Sequence, residues 1–272
     1  MVKRLSALIA AGALALVPGL AGPARAGDAC TAEVPLPHQQ WSFEGPLGTY
    51  DEVTLQHGFQ VYKEVCAVCH ALKHVAFRDL TDLGYSDDQV KGIAAQFAPG
   101  PPGGPPVQVT DAQPNDQGQI VQRPARPSDF FVPPFPNDQA ARAANNGALP
   151  PDMSLLVKAR DGGPDYVFGI ATGFKDAPPG CKLGQNMYWN DYFLGHQIAM
   201  PPPLTSDGQV TYADGTKPTI KQMAADVTTF LAWASEPNLN ERHRMGAKVI
   251  LFLLVAAGLF YAAKRRIWAK LH

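Results

Sequence analysis

The chain has 272 residues, of which 46% are hydrophobic and 17% charged, with 26 prolines and 25 glycines. That composition excludes a disordered acidic chain and a coiled coil, and it favours many loops over long regular elements. The formal net charge of −1 hides an asymmetry: residues 27–240 hold 13 Lys and Arg against 23 Asp and Glu, a net −10, while basic residues gather at both ends. Such a field repels nucleic acid and attracts cationic proteins, although it also serves plain solubility.

Residues 1–26 read as an export signal. Lys3 and Arg4 precede an apolar run from Leu5 to Leu16, Pro18 and Gly19 break the helix, and Ala24-Arg25-Ala26 forms a small-residue cleavage site. The run is short for a membrane anchor, and Gly27-Asp28-Ala29 before Cys30 is a poor lipoprotein signal. Residues 27–50 are irregular and Pro-rich, and 51–75 read as a helix, with Leu55, Phe59 and Tyr62 at helical spacing.

That helix carries Cys66-Ala67-Val68-Cys69-His70. Structural zinc needs four ligands, usually two such pairs, and a thioredoxin-like pair needs a βαβ context that is missing. The remaining reading is covalent attachment of a c-type haem. Two thiols one helical turn apart can add to two vinyl groups, and the following imidazole can bind iron. The other axial ligand must come from elsewhere. His38, His57, His74, His196, His243 and the six methionines are candidates. His74 is one turn beyond His70, on the same side of a haem. Met200 precedes Pro201-Pro202-Pro203, which stiffens the segment, and is the preferred ligand; His196, four residues earlier, is its rival. Cys30 and Cys181 either pair as a disulfide or remain two thiols, a choice sequence leaves open.

Residues 76–140 read mostly as loop, with a short helix over Ser86–Gln96 capped by Ser86 and carrying Asp87 and Asp88 in its first turn. Within them, 98–126 form a Pro-rich loop with no assignable role. A helical segment is expected over Asp152–Lys158, a small hairpin or turns over Thr205–Thr216, and an amphipathic helix over Thr219–Ala234. Met245 to Ala263 is apolar apart from Lys248 and long enough to span a bilayer, with basic flanks and with Tyr261 and Trp268 suited to the interface. The expected organisation is a signal (1–26), an exported domain (27–240), a membrane span (245–263) and a short inner tail (264–272). In a bacterium the domain would be periplasmic, the chain single-pass in the inner membrane and the C-terminus cytoplasmic. The expected fold is mainly α, a cytochrome-c-like haem domain with long Pro/Gly-rich loops plus one C-terminal transmembrane helix.

Several segments together resemble the cytochrome c1 family, the haem subunit of the cytochrome bc1 complex. They are WSFEG at 41–45, GFQVYKEVCAVCH at 58–70, ARAANNGALPPDMS at 141–154, VKARDGGPDYVF at 157–168, IAMPPPL at 198–204 and DVTTFLAWASEPN at 226–238. The resemblance implies one haem c on Cys66 and Cys69, with His70 and Met200 as axial ligands. It also implies Pro150 and Pro151 lining the pocket, Asn145 nearby, Arg160 facing a propionate and Tyr166 closing the edge. It further implies an electron carrier with cytochrome b and the Rieske iron–sulfur protein as partners, a cationic cytochrome c as acceptor and membership of a dimeric complex. Catalysis as a quinol–cytochrome-c reductase would belong to the whole assembly. Open alternatives are an anchored cytochrome serving another dehydrogenase or oxidase, and a haem enzyme with an open iron position.

Overall fold

A computed structural model describes residues 30–101, 103–111 and 113–269. The expected export signal therefore lies outside the described residues. The first helix, α1 (Glu52–Glu64), starts because the Asp51 carboxylate accepts a hydrogen bond from the Thr54 amide at 2.9 Å. Its buried face carries Leu55, Phe59 and Tyr62.

The helix expected over 51–75 is shorter than its pattern. At the β-branched Val65 the chain tightens into a single 3-10 turn, Cys66–Val68. Beyond it the backbone turns to a distant segment. The Lys73 amide donates to the Asp152 carboxylate and the His74 amide to the Ser154 hydroxyl, at 2.9 and 3.0 Å. The same cross-links correct the helix expected over Asp152–Lys158. Met153 donates to the Ala71 carbonyl and Ser154 to the Asp152 side chain, so these residues form turns.

A second 3-10 helix, Phe77–Leu83, leads to α2 (Asp87–Gln96), which begins as expected with a reciprocal cap between Ser86 and Gln89. The Pro-rich loop contains a short antiparallel pair, β1 (Gln108–Thr110) with β2 (Gln122–Pro124). Two helices stand where sequence gave no signal: α3 (Asp138–Ala144), capped by Asn137, and α4 (Gly163–Thr172). A two-residue pair, β3 (Tyr188–Trp189) with β4 (Gln197–Ile198), follows, and Thr205–Thr216 forms turns.

The amphipathic pattern near the end becomes α5 (Ile220–Ser235), capped by Thr219. Helix α5 is the centre of the domain, with α1 crossing one side and α4 packed on another. At the α1 crossing, an added Cβ on Gly58 would stand 2.1 Å from the Asp226 carbonyl oxygen, so only glycine allows this approach. Around the crossing, Phe59, Tyr62, Phe131 and Phe230 form a buried aromatic cluster that reaches Phe77 and Phe97.

The last helix, α6 (Leu239–Trp268), has its head bolted to the domain. Glu236 bridges Lys158 and Arg242, the Tyr50 amide donates to Asn240, and a His243 ring nitrogen meets the Gly48 carbonyl at 2.7 Å. Beyond Met245 its apolar side chains are exposed, and none of its most apolar stretch is buried. It is therefore not a core helix. It is long and apolar enough to cross a membrane.

Candidate functional site

Helix α1 delivers Cys66 and Cys69 onto one tight turn, where the Cys69 and His70 amides both donate to the Cys66 carbonyl. The two thiols are free, whereas Cys30 and Cys181 are joined in a disulfide that settles what sequence left open. Burial, with Cys69 adding, pushes the Cys66 thiol up to about 12, and burial also raises Cys69. Both sulfurs are thus protonated near neutral pH.

His70 is buried, and its Nδ1 lies 2.8 Å from the Pro151 carbonyl oxygen. A carbonyl only accepts, so Nδ1 carries the proton and Nε2 keeps its lone pair free. Burial lowers the pKa of this ring, against the opposing pull of the Pro151 carbonyl and Asp152, so the imidazole is neutral. The Tyr62 hydroxyl donates to the His70 carbonyl at 3.3 Å. Asp152 and Ser154 sew residues 70–74 to the turn after Pro151. Sequence reasoning assigned neither a role, although both sit in the quoted PPDMS run. The loop over 98–126 also gains a role, since the Gly100 amide donates to the Ala67 carbonyl at 3.1 Å and holds the loop against the cysteine turn.

The other described histidines are engaged or peripheral. His38 pairs with Asp165 at 2.9 Å, His57 lies between Asp214 and Asp226, and His243 holds Gly48. His196, the rival ligand, has Nδ1 at 3.2 Å from the Asn190 carbonyl and Nε2 at 2.9 Å from the Ala32 carbonyl. Neither nitrogen is left to bind a metal. His74 is exposed. Among the described methionines, Met153 and Met223 are buried and Met245 is exposed at the head of α6. Met200 is half-buried two residues after β4, and Met187, just before β3, is half-buried as well. On its C-terminal side Gln209 accepts from the Thr205 amide and donates to the Pro203 carbonyl, both at 2.9 Å, fixing the triple-proline segment. Gln209 left no sequence signal.

The other expected pocket residues are spread over two segments. Pro150 is half-buried, and Pro151, itself exposed, supplies the carbonyl to His70. Asn145 ends α3, with its side-chain amide donating to the Ala141 carbonyl. Arg160 is exposed beside Tyr166, whose hydroxyl pKa burial raises while the guanidinium pulls it down.

A neutral imidazole with one free lone pair, next to two unbridged thiols on one turn, is a donor set that fits a haem. Comparison with known proteins agrees. The model of the Cytochrome C1 family matches residues 41–271. The chain belongs to the cytochrome c1 family. A cytochrome c1 of Rhodospirillum rubrum is 43% identical over 284 residues, covering 98% of this chain and 97% of that one. A mitochondrial cytochrome c1 heme protein of Saccharomyces cerevisiae is 44% identical over 234 residues, covering 86% and 72%. A protein of Bradyrhizobium diazoefficiens named cytochrome b/c1 is 45% identical over 288 residues, covering 98% of this chain but 39% of that protein, so the chain spans about two fifths of that relative. Membership of the cytochrome c1 family carries a haem with it, and His70, Cys66 and Cys69 are the side chains suited to hold it.

Proposed function

We propose that this chain is a membrane-anchored monohaem c-type cytochrome and the electron-transfer subunit of a quinol–cytochrome-c reductase. The reading has cytochrome b and the Rieske iron–sulfur protein as partners within a dimeric complex, with electrons passed from the Rieske protein to a cationic cytochrome c. The exported domain, 27–240, stands in the bacterial periplasm after removal of residues 1–26, the span 245–263 crosses the inner membrane, and 264–272 remain cytoplasmic. The observation that carries this function is the His70–Pro151 hydrogen bond, which leaves one imidazole lone pair beside two free thiols.

A haem bound there supplies a one-electron Fe(III)/Fe(II) couple. Cys66 and Cys69 would hold it through thioethers, and His70 would ligate the iron with a ring that the Pro151 carbonyl keeps in one orientation. Met200 would offer a neutral, soft sulfur as a second ligand, which would raise the potential relative to bis-histidine ligation. The guanidinium of Arg160 pairs with a propionate. Pro150, Asn145 and Tyr166 line the pocket and exclude water. With His70 and Met200 both holding the group, the chain would carry electrons rather than bind a substrate, and the assembly would perform the catalysis.

The test is a pyridine-adduct spectrum with mass spectrometry of the mature protein, repeated on Met200→Leu. Wild type should hold one covalent haem, exclude carbon monoxide when reduced and co-purify with a cytochrome b and a Rieske protein. Met200→Leu should lose most of its potential and admit carbon monoxide. Haem extractable by acidified acetone, or an unchanged potential in Met200→Leu, would overturn the assignment. Carbon monoxide binding by wild type would point to an open-iron enzyme, and co-purification with a different dehydrogenase or oxidase would reassign the partner.

A further inference from the structure

We propose that His196 is a positioning residue for Met200, joining the irregular segment around Ala32 to the β3–β4 pair so that the thioether is presented in one place. The inference rests on the proposed ligation by Met200. Strand β4 has two residues and pairs only with the two of β3. Isolated two-stranded pairs are marginal in water, so this pairing alone cannot fix the residue two positions beyond it.

His196 supplies what the strands lack. Its ring is buried at 4% exposure and stacks on Trp189, with centroids 4.7 Å apart and planes 14° apart. One ring nitrogen faces the Asn190 carbonyl next to β3, and the other faces the Ala32 carbonyl, 164 positions away in sequence. The His196 amide donates to Phe193 and its carbonyl accepts from Asn190, at 2.7 and 3.0 Å. These bonds hold a left-handed backbone, φ +58°, that a residue with a Cβ adopts at a cost. The Ala32 acceptor is itself anchored, because Cys30, two residues before it, is bonded to Cys181. Gln209 fixes the chain after Met200, and His196 fixes it before.

A ring that only stabilised the domain would change global unfolding. A positioning ring changes how long the sulfur stays on iron while the domain remains folded. The test uses the full anchored chain with haem attached, as wild type, His196→Ala, His196→Asn and Met200→Leu. It follows the far-red thioether-to-ferric-iron absorption band against temperature, carbon monoxide uptake by the reduced protein, and global unfolding by circular dichroism. Losing the ring's stack on Trp189 together with the hydrogen bond that its N–H makes should raise the carbon monoxide-accessible fraction roughly 5- to 30-fold in His196→Ala. Its absorption band should vanish well below the unfolding temperature. If Ala prevents haem incorporation, Asn carries the same readout, because a short amide cannot span both carbonyls. A band that disappears only together with global unfolding, as in wild type, would overturn the positioning role. A band that survives in Met200→Leu would instead overturn the ligand assignment beneath it.

Discussion

Asp226 sits without solvent exposure on α5, and its carboxylate accepts from the Tyr212 hydroxyl at 2.8 Å and from the Gln222 amide at 2.9 Å. The His57 ring stacks on Tyr212 at 3.9 Å and approaches the same carboxylate, and Asp214 faces the ring from the other side. Burial raises the Asp226 pKa, and the bonds from Tyr212 and Gln222 with the charge of His57 only partly offset it. A carboxyl whose folded pKa exceeds its unfolded value binds more protons in the folded state. Its contribution to stability is therefore complete below the unfolded value, about 3.9, and declines as pH rises through the folded value. Asp226→Asn cannot titrate. The thermal midpoint of wild type minus that of Asp226→Asn should fall with rising pH across the acidic range, as read by circular dichroism of the anchored chain. A difference that grew with pH would show that hydrogen bonding, not burial, dominates this site. Residues of this kind are hard to read from sequence, because their meaning lies in partners far along the chain. His70 was legible since its signal is local spacing. His196 reads in sequence as a rival ligand, whereas in the fold the Ala32 and Asn190 carbonyls occupy its two nitrogens.

The elements that sequence displayed are those whose local pattern and tertiary role agree. Helix α5 has a cap and an apolar repeat whose Met223, Val227, Phe230 and Leu231 are buried, although burial extends all round it from Asp226 to Ser235, and α2 has a reciprocal cap. Helix α4 was hidden because it starts on Gly162, Gly163 and Pro164, which punctuate a loop as readily as they open a helix. The run after His70 keeps a helical composition, yet its amides are captured by Asp152 and Ser154, a contact that periodicity cannot register. The α1–α5 crossing shows the same limit from the other side. Gly58 within a helix reads as a weakness, whereas here it lets two backbones meet. Gly58→Ala would drive a methyl into the Asp226 carbonyl, with Phe230 Cβ only 2.6 Å from it. Overpacking of this sort costs about 1–3 kcal/mol. Chemical denaturation should therefore show a lower midpoint, although Ala is the better helix former. An unchanged or higher midpoint would mean that the crossing has slack.

At the scale of the molecule the charge distribution decides how the domain meets others. Residues 27–240 carry 23 acidic against 13 basic side chains. Lys91 pairs with Asp88, Arg123 with Asp111 and Asp129, Lys158 with Glu236 and Lys175 with Asp191. Internal pairing uses acids and bases together, so it cannot remove an excess of ten carboxylates. The surplus produces a negative field around the domain. Fields of this kind raise the association rate of an oppositely charged partner by about 10- to 1,000-fold at low ionic strength. Salt erases the gain, because the Debye length shrinks from about 8 Å at 0.15 M to about 3 Å at 1 M. For the proposed transfer to a cationic cytochrome c, the second-order rate measured by stopped flow should thus fall by one to three decades from low to molar salt. An anionic acceptor of the same potential should show the opposite slope. Rates that ignored ionic strength for both would leave the acidic surface as a solubility device. The donor set around His70 would be untouched by that result, since it is built from contacts inside the domain that salt does not reach.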